Sequence, residues 1–234
     1  MGQKKLQRFA ELKTFSNAME YPENMKGTWN SFFKNDHPVT LELACGKGEY
    51  AVGLGRMFKD RNFIGIDIKG NRMWVGAKIA AAEGLHNVVF LRSQIERIGE
   101  YFNEGEVAEI WITFPDPQLR FSKAKKRLTH PRFLRLYQKI MGRHGIINLK
   151  TDSPDLYNFT RQVINLFNFE LLVDQEDVHA NGSVSKELSI QTHYEKLDIA
   201  GSNRIHYLRF VLNNDLPVEK EEQLKQLLSE EATN

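Results

Sequence analysis

The sequence predicts an α/β protein in which helices cover both faces of a mostly parallel, seven-stranded sheet. The main observation is that short β-branched and apolar runs alternate with segments of helical spacing through the middle of the chain, which is typical of strand–helix–strand units. Composition is the second, since 234 residues with 41% apolar and 26% charged residues match one globular domain with small additions. The chain has no run of 18 apolar residues, so no membrane-spanning helix is expected.

Five strands are predicted in this alternation, followed by two that close the sheet. Their ranges are 39–45, 62–68, 88–93, 107–114, 145–151, 169–175 and 204–212. Helices are predicted between them at 49–58, 70–85, 130–142 and 153–167. The last helix has the clearest beginning, because Ser153 is a favoured N-cap residue and Pro154 suits the first helical position.

Shifts in composition divide the chain into three parts. Residues 1–30 are predicted to form a basic arm or helix, residues 31–214 the main domain, and residues 215–234 an acidic tail that begins as a helix. The N-terminal residues lack the apolar core of a signal peptide, and a single cysteine, Cys45, excludes an internal disulfide. A reducing, cytoplasmic location is therefore expected. The seven histidines show no metal-ligand spacing, so no metal is expected.

In a sheet of this kind, ligands bind outside the carboxyl ends of the strands. The segments predicted at these ends are 45–48, Asp67, 93–94, 114–116 and 150–152. Topology alone therefore predicts that these segments line one rim of the sheet and form the binding site.

The turn after the first predicted strand has the pattern Gly-x-Gly-x-x-Ala, with glycines at Gly46 and Gly48. Glycines at such a turn let the backbone approach a ligand closely. Asp67, at the end of the second strand, is placed to accept hydrogen bonds from ribose hydroxyls. Glu42 lies inside the first strand, where an unpartnered carboxylate is costly to bury. An acid there favours S-adenosylmethionine, which carries an amino group and a sulfonium, over a nicotinamide dinucleotide.

A strongly basic stretch follows the fourth predicted strand. Between Asp116 and Asp152 the chain has ten Lys and Arg residues and no Asp or Glu, although the whole chain carries a formal net charge of only +2. The remainder of the chain is therefore net negative, and this asymmetry favours a polyanionic partner. The alternative is a solvated helix face, which usually carries both signs of charge.

The sequence Phe-Pro-Asp-Pro at 114–117 comes directly before the basic stretch. Pro115 and Pro117 fix the backbone φ angle, which would hold Asp116 in one orientation at the rim. An ionised carboxylate only accepts hydrogen bonds, and the Watson–Crick edge of guanine offers two adjacent donors. The pattern therefore predicts that Asp116 pairs with guanine while the following cations hold phosphates.

Five segments together resemble the bacterial tRNA (guanine-N7-)-methyltransferase family. They are, in family order, LELACGKGEY, NFIGIDIKGNRM, ITFPDPQLRFSKAKKRLTHPRFLRLY, LKTDSPDLY and THYEK. The resemblance implies a Rossmann-like class I methyltransferase fold, S-adenosyl-L-methionine as cofactor and tRNA as partner, with no metal and no membrane. The implied reaction is methyl transfer to guanine N7, at position 46 of the variable loop. The oligomeric state is left open between monomer and homodimer.

The resemblance also implies roles for individual residues. Glu42, Asp67, Gln94 and Asp116 correspond to cofactor contacts, beside Gly46 and Gly48 of the turn, and Asp116 is also proposed as catalytic. The implied substrate-binding residues are Arg120, Ser122, Lys123, Ala124, Lys125, Lys126, Arg127, Asp152, Thr192, His193, Tyr194 and Glu195. The chain departs from the family pattern at Gln118, where Trp is usual, at Gln94, where Asp or Asn is usual, and at Arg120, which replaces a common Lys.

The implied chemistry needs little acid or base catalysis. Guanine N7 has a free lone pair, so it can attack a sulfonium methyl group without first losing a proton. Asp116 is therefore predicted to position guanine rather than to act as an obligatory general base. The alternatives are an inactive RNA-binding module of the same fold and a dinucleotide-dependent dehydrogenase, which Glu42 and the basic stretch both disfavour.

Overall fold

A computed structural model describes residues 2–180, 182–197, 201 and 204–231. The strands are β1 (Ala18–Glu20), β2 (Val39–Leu43), β3 (Asn62–Asp67), β4 (Val88–Arg92), β5 (Val107–Thr113), β6 (Ile146–Thr151), β7 (Glu170–Gln175) and β8 (His206–Val211). The α-helices are α1 (Gly2–Leu12), α2 (Trp29–Phe33), α3 (Glu49–Met57), α4 (Gly70–Ala82), α5 (Pro131–Met141), α6 (Pro154–Phe167) and α7 (Lys220–Glu231). Short 3-10 helices span Ile95–Glu100, Phe121–Lys126, Gly142–His144 and Glu195–Leu197.

Among the described residues, eight strands form one sheet in the order β1-β4-β3-β2-β5-β6-β8-β7. Strands β1 to β6 pair in parallel, whereas β8 runs antiparallel to both β6 and β7. The strand order reverses between β2 and β5, because the chain builds outward from β2 on one side and from β5 on the other. This reversal opens a crevice at the carboxyl ends of β2 and β5, where ligands bind in sheets of this type.

The predicted α/β class is confirmed, but the prediction of seven strands is wrong by one. The additional strand, β1, lies at the edge of the sheet, where Ala18 pairs with Phe90 and Glu20 with Arg92. Its three residues are all half-buried, so the sequence shows neither a continuous apolar run nor a clear alternation there. The domain boundaries at residues 30 and 214 stay predictions, although β1 places part of the first segment within the main sheet.

Helices cover both faces of the sheet. Buried side chains of α2, α5, α6 and α7 form one hydrophobic cluster with one face, and those of α1, α3 and α4 form a second cluster with the other. Successive strand residues alternate between the clusters, as Phe63 and Ile64 do in β3, because side chains along a strand point to opposite faces. In the described part of the chain, no helix combines the length and apolar character that crossing a membrane requires.

Two helices begin as their sequences predict. The hydroxyl of Ser153 accepts a hydrogen bond from the Leu156 N–H, with Pro154 at the first position of α6. His130 precedes α5, and its Nδ1 accepts from the Arg132 N–H at 3.1 Å. Accepting this bond requires a neutral imidazole, and burial lowers the pKa of His130 to about 4. Both caps fix helices that follow the loops of the crevice.

Candidate active site

A cavity of about 690 Å³ lies at the carboxyl ends of β2, β3, β5 and β6. Residues from five separate parts of the chain line it: Ala44, Asp67, Lys69, Arg72, Phe114, Pro115, Asp116, Pro117, Leu119, Asp152, Ser153, Pro154, Asp155 and Tyr194. Three of the five segments expected at the rim therefore contribute to the cavity, each with an acidic residue: Asp67, Asp116 and Asp152. The other expected residues lie around it or beneath it.

Asp67 holds two turns together at the end of β3. Its Oδ2 accepts from the Gly46 N–H at 2.9 Å, and its Oδ1 accepts from the Lys69 N–H at 2.8 Å. Gly46 has a left-handed φ of 56°. A Cβ built on it would point toward the Tyr194 ring, 3.8 Å away. The backbone at Gly46 thus lies next to two lining residues of the cavity, Asp67 and Tyr194.

Gly48 has a different role from Gly46. It also has a left-handed φ, of 72°, but a Cβ there would lie only 2.2 Å from the Phe90 ring. The second glycine of the pattern is therefore required for packing of the turn against β4, and the cavity wall does not include it.

Glu42 is buried in β2, beneath the cavity rather than on its surface. Its Oε2 accepts from the Ala51 N–H at 2.8 Å, and its Oε1 lies 3.4 Å from both the Tyr50 N and the Thr113 hydroxyl. Its carboxyl group thus satisfies backbone donors in the first turn of α3, where acidic groups are favoured. Burial nevertheless raises the pKa of Glu42 to about 8, so the group keeps its proton at neutral pH.

Gln94 lies outside the cavity lining. Its side chain is exposed and it precedes the 3-10 helix Ile95–Glu100. The neighbouring Ser93 is buried, and its hydroxyl contacts the Tyr101 hydroxyl at 3.1 Å. The structure therefore brings the end of β4 near Asp67 by its backbone, through the Ser93 N–H and the Asp67 carbonyl, but does not bring Gln94 into the cavity.

Asp116 is exposed on the cavity wall. Its Oδ1 accepts from the Gln118 N–H at 3.0 Å, a bond that closes the turn through Pro117. Left-handed φ angles of 47° at Phe114 and 50° at Gln118 flank this turn. Such angles are uncommon for residues other than glycine, so the surrounding contacts must hold the turn in place.

Arg127 provides one of these contacts. Its Nε donates to the Pro117 carbonyl oxygen at 3.1 Å, and its Nη2 donates to that of Gln118 at 3.3 Å. Its guanidinium lies 4.5 Å from the centroid of the Phe159 ring, and burial lowers its pKa. Arg127 is therefore turned inward to support the turn that carries Asp116, and the neighbouring Ala124 is also buried.

The remaining members of the basic segment point outward. Arg120, Ser122, Lys123, Lys125 and Lys126 are all exposed. Within the described residues, no acidic side chain forms an ion pair with these four cations. Farther along the basic stretch, Arg132, Arg135 and Arg143 do have acidic partners: Glu96, Glu221 and Asp215. Four exposed cations without an acidic ion-pair partner among the described residues thus follow the cavity residues Asp116 and Leu119 closely in the chain.

The late segment 192–195 is anchored to strand β6 through hydrogen bonds of Glu195. The Thr192 N–H donates to Glu195 Oε2 at 3.3 Å and the Glu195 N–H donates to the Thr192 hydroxyl at 3.1 Å, a reciprocal pair like a capping box. Lys150, at the end of β6, donates to both Glu195 oxygens at 3.0 and 2.9 Å. Thr192 and Glu195 are therefore internal, and neither lines the cavity.

Tyr194 and His193 lie on the outer side of the same segment. The Tyr194 ring closes one side of the cavity, and the Arg72 guanidinium lies 5.5 Å from its centroid. The His193 N–H donates to Glu49 Oε1 at 3.2 Å, which fixes the segment to the start of α3. Of the four residues in this motif, Tyr194 alone contributes to the cavity lining.

Comparison with known proteins places the chain in a family. Residues 36–207 match the family described as "Putative methyltransferase". A tRNA (guanine-N(7)-)-methyltransferase of Porphyromonas gingivalis is 48% identical over 213 residues, which cover 86% of this chain and 86% of the relative. One of Christiangramia forsetii is 47% identical over 221 residues, covering 90% and 99%. The chain belongs to the tRNA (guanine-N(7)-)-methyltransferase family.

The fold of this methyltransferase is shared with more distant enzymes. A crystal structure of the 16S rRNA methyltransferase KamB superposes with a TM-score of 0.59 over 78% of this chain and 91% of the other, at 15% sequence identity. At that identity the similarity concerns the fold alone.

The charge of the methyltransferase cavity suits a cationic ligand. Four carboxylates line it, from Asp67, Asp116, Asp152 and Asp155, against two cations, Lys69 and Arg72. S-adenosylmethionine carries a sulfonium and an ammonium group besides its carboxylate. The four carboxylates suit its two cationic groups, and the two cations suit its carboxylate. In the described part of the chain, no group of three or more His, Cys, Asp and Glu side chains is arranged to hold a metal ion.

Sequence reasoning missed several lining residues of the methyltransferase cavity. Among them are three charged residues, Lys69, Arg72 and Asp155, and the exposed Leu119. Lys69 and Arg72 belong to the turn and first helical residues after Asp67, and Asp155 to the first turn of α6. Their positions directly after strand ends were a usable signal, since helices in such sheets begin at the same rim.

Proposed function

We propose that the protein transfers a methyl group from S-adenosylmethionine to N7 of a guanine in tRNA. The observation that carries the proposal is a single juxtaposition. A carboxylate-lined cavity at the carboxyl edge of the sheet has Asp116 on its wall, and within ten residues of Asp116 follow four exposed cations that have no acidic partner in the described part of the chain.

On the cofactor side, we propose that Asp67 and the backbone at Gly46 hold the nucleoside part of S-adenosylmethionine. Asp67 uses two of its lone pairs on backbone N–H groups, and a carboxylate has capacity for further donors. S-adenosylmethionine supplies the electrophilic methyl group. Glu42 supports this site from beneath, because its carboxyl group fixes the start of α3. A direct contact from Gln94 would require its exposed side chain to turn toward the cavity.

On the substrate side, we propose that Asp116 accepts hydrogen bonds from the guanine edge. The bond from the Gln118 N–H and the support from Arg127 fix the turn before the substrate arrives. A preorganised acceptor of this kind lowers the cost of ordering the complex. Guanine N7 has no proton to lose, so orientation is the main task of Asp116. Asp152, on the same cavity wall, is a second candidate acceptor.

For the tRNA backbone, we propose that Arg120, Lys123, Lys125 and Lys126 contact phosphates, with Ser122 beside them. Exposed cations that repel one another and lack acidic partners are stabilised by a polyanion. Position 46 of the variable loop is proposed as the target guanine on family resemblance. The cytoplasm, where tRNA is available, is the proposed location.

The test combines the purified protein with labelled S-adenosylmethionine and an unmodified tRNA transcript, followed by mapping of the methylated base. The same assay compares Asp116→Asn with Asp60→Ala. Asp60 is a matched surface control, because it is an exposed aspartate before β3, at the opposite end of the sheet from the cavity. N7-methylguanine in the variable loop would support the proposal. Tight tRNA binding without cofactor binding or transfer would favour an inactive RNA-binding module.

A further inference from the structure

Two large apolar side chains are exposed next to the candidate active site. Leu119 is 64% exposed and Phe121 is 44% exposed. They flank Arg120: Leu119 follows the turn that carries Asp116, and Phe121 begins the 3-10 helix Phe121–Lys126. Leu119 also lines the cavity. An exposed leucine on its own is ordinary, but this one lies at the mouth of a functional cavity and among cations.

The part of the chain that carries Leu119 is firmly mounted. Arg127 binds the carbonyl oxygens of the two preceding residues, Pro117 and Gln118, and the Gln118 N–H is bound to Asp116. Because Arg127 is itself buried against Phe159, the backbone before Leu119 is fixed from the protein interior. The leucine side chain thus projects from a rigid support.

The surroundings identify the kind of partner that would cover Leu119. On one side Leu119 borders the carboxylates of the cavity, and on the other the chain continues into the exposed cations Arg120, Lys123, Lys125 and Lys126. The centre of a protein–protein interface is depleted of charged residues, whereas nucleic acid offers phosphates for the cations and apolar base faces for the leucine. Charge complementarity therefore favours RNA as the occupant of this surface.

We propose that Leu119 is a wedge that enters the base stack of the tRNA when the target guanine leaves it. This inference rests on the proposed function. A guanine stacked inside folded RNA cannot reach the cavity, so it must be extruded, which leaves a gap in the stack. Apolar side chains that fill such gaps lower the cost of unstacking. Leu119 lies at the cavity wall beside Asp116, where an extruded guanine would pass.

The wedge predicts that Leu119 matters more when a base must leave a stack than when the guanine is already free. We would measure methyl transfer to folded tRNA and to a short single-stranded RNA with one guanine. Leu119→Ala should lower kcat/KM on folded tRNA by about tenfold more than on the single-stranded RNA, since any loss through the cavity lining is common to both substrates. Leu119→Met should retain most of the activity on both. Leu172→Ala is the matched control, because Leu172 is a 42% exposed leucine on the edge strand β7.

A binding measurement tests the same idea without turnover. With 2-aminopurine next to the target guanine, binding of the wild-type protein should raise fluorescence as the stack opens, and Leu119→Ala should reduce this rise at saturating protein. An unchanged rise would overturn the wedge, as would equal loss of transfer on both RNAs or no loss on either. Absence of transfer by the wild-type protein on both RNAs would instead count against the proposed function itself.

Discussion

The Nζ atom of Lys150 lies 2.9 Å from Oε2 of Glu195, and solvent reaches 0% of the lysine side chain and 6% of the glutamate side chain. The same ammonium group donates to the carbonyl oxygens of Leu188 and Ile190 at 2.8 and 3.1 Å. One buried cation at the end of β6 therefore anchors the segment that places Tyr194 over the cavity. We infer that Glu195 affects the substrate through this anchorage, since its carboxylate is occupied inside the protein.

The ion pair leads to a prediction about stability. Lys150→Met should lower the free energy of unfolding by about 3–5 kcal/mol, because it leaves the Glu195 carboxylate buried without its partner. The double variant Lys150→Met/Glu195→Gln removes both charges and should be more stable than Lys150→Met alone. Denaturant unfolding of the two single variants and the double variant measures the coupling. Strictly additive effects would contradict a direct interaction between the two side chains.

Asp116 should control transfer to guanine without acting as a base. We expect Asp116→Asn to lower kcat/KM for tRNA by about 10- to 100-fold, since an amide places donors opposite the guanine donors and one charged hydrogen-bonding group is lost. The dependence of the residual rate on pH should keep the shape of the wild-type profile. If the wild-type profile had an acid limb that the variant lacked, Asp116 would be a general base after all.

Lys125 and Lys126 should contribute to tRNA affinity through phosphate contacts. The variant Lys125→Gln/Lys126→Gln should bind tRNA more weakly, and the slope of log affinity against log salt concentration should become less steep by about 1 for each lysine removed. Titrations at several salt concentrations measure this slope. An unchanged slope would show that these two lysines do not contact phosphates.

Arg127 provides the contrast within the same segment. Because it supports the Pro117–Gln118 turn from the interior, Arg127→Met should lower kcat while leaving the salt slope near that of the wild type. A reduction in slope as large as that for a lysine would mean that Arg127 turns outward and binds RNA, contrary to the contacts of the free protein.

Glu42 should make the stability of the fold depend on pH. Burial raises its pKa from 4.5 to about 8, so between these values the folded protein keeps a proton that the unfolded chain has lost. Its contribution to stability therefore falls by about 1.4 kcal/mol per pH unit across this window and is constant above it. The free energy of unfolding of Glu42→Gln, compared with the wild type, should rise from pH 5 to pH 8. A constant difference would rule out this pKa shift.

Sequence reasoning predicted the strands of the main sheet to within about two residues at each end, since hydrophobic period and glycine or proline boundaries carry that information. Strand β3, for instance, is predicted at 62–68 and spans Asn62–Asp67. Strand β1 was missed because three half-buried residues carry no periodic signal. The sheet topology then placed Asp67, Asp116 and Asp152 together, as the rule of carboxyl strand ends requires.

The orientation of side chains was not predictable in the same way. Motif position put Arg127 among exposed cations and Glu195 among substrate contacts, yet both side chains are turned inward. The sequence pattern places Lys150 only at the end of a predicted strand. Inward or outward orientation depends on tertiary partners such as Phe159 and the Leu188 carbonyl, which are distant in sequence and invisible to a local pattern.

The added edge strand has a consequence for any shortened form of the protein. A chain that began at residue 31 would lack Ala18–Glu20, and the backbone of β4 along Phe90–Arg92 would lose its partner on the outer side while keeping β3 on the other. An uncovered edge of a parallel sheet is a template for strands of other molecules. Such a chain would also lose Trp29, which is fully buried against Phe102. We infer that the first thirty residues protect this edge of the sheet from pairing with other molecules, independently of any contact with RNA.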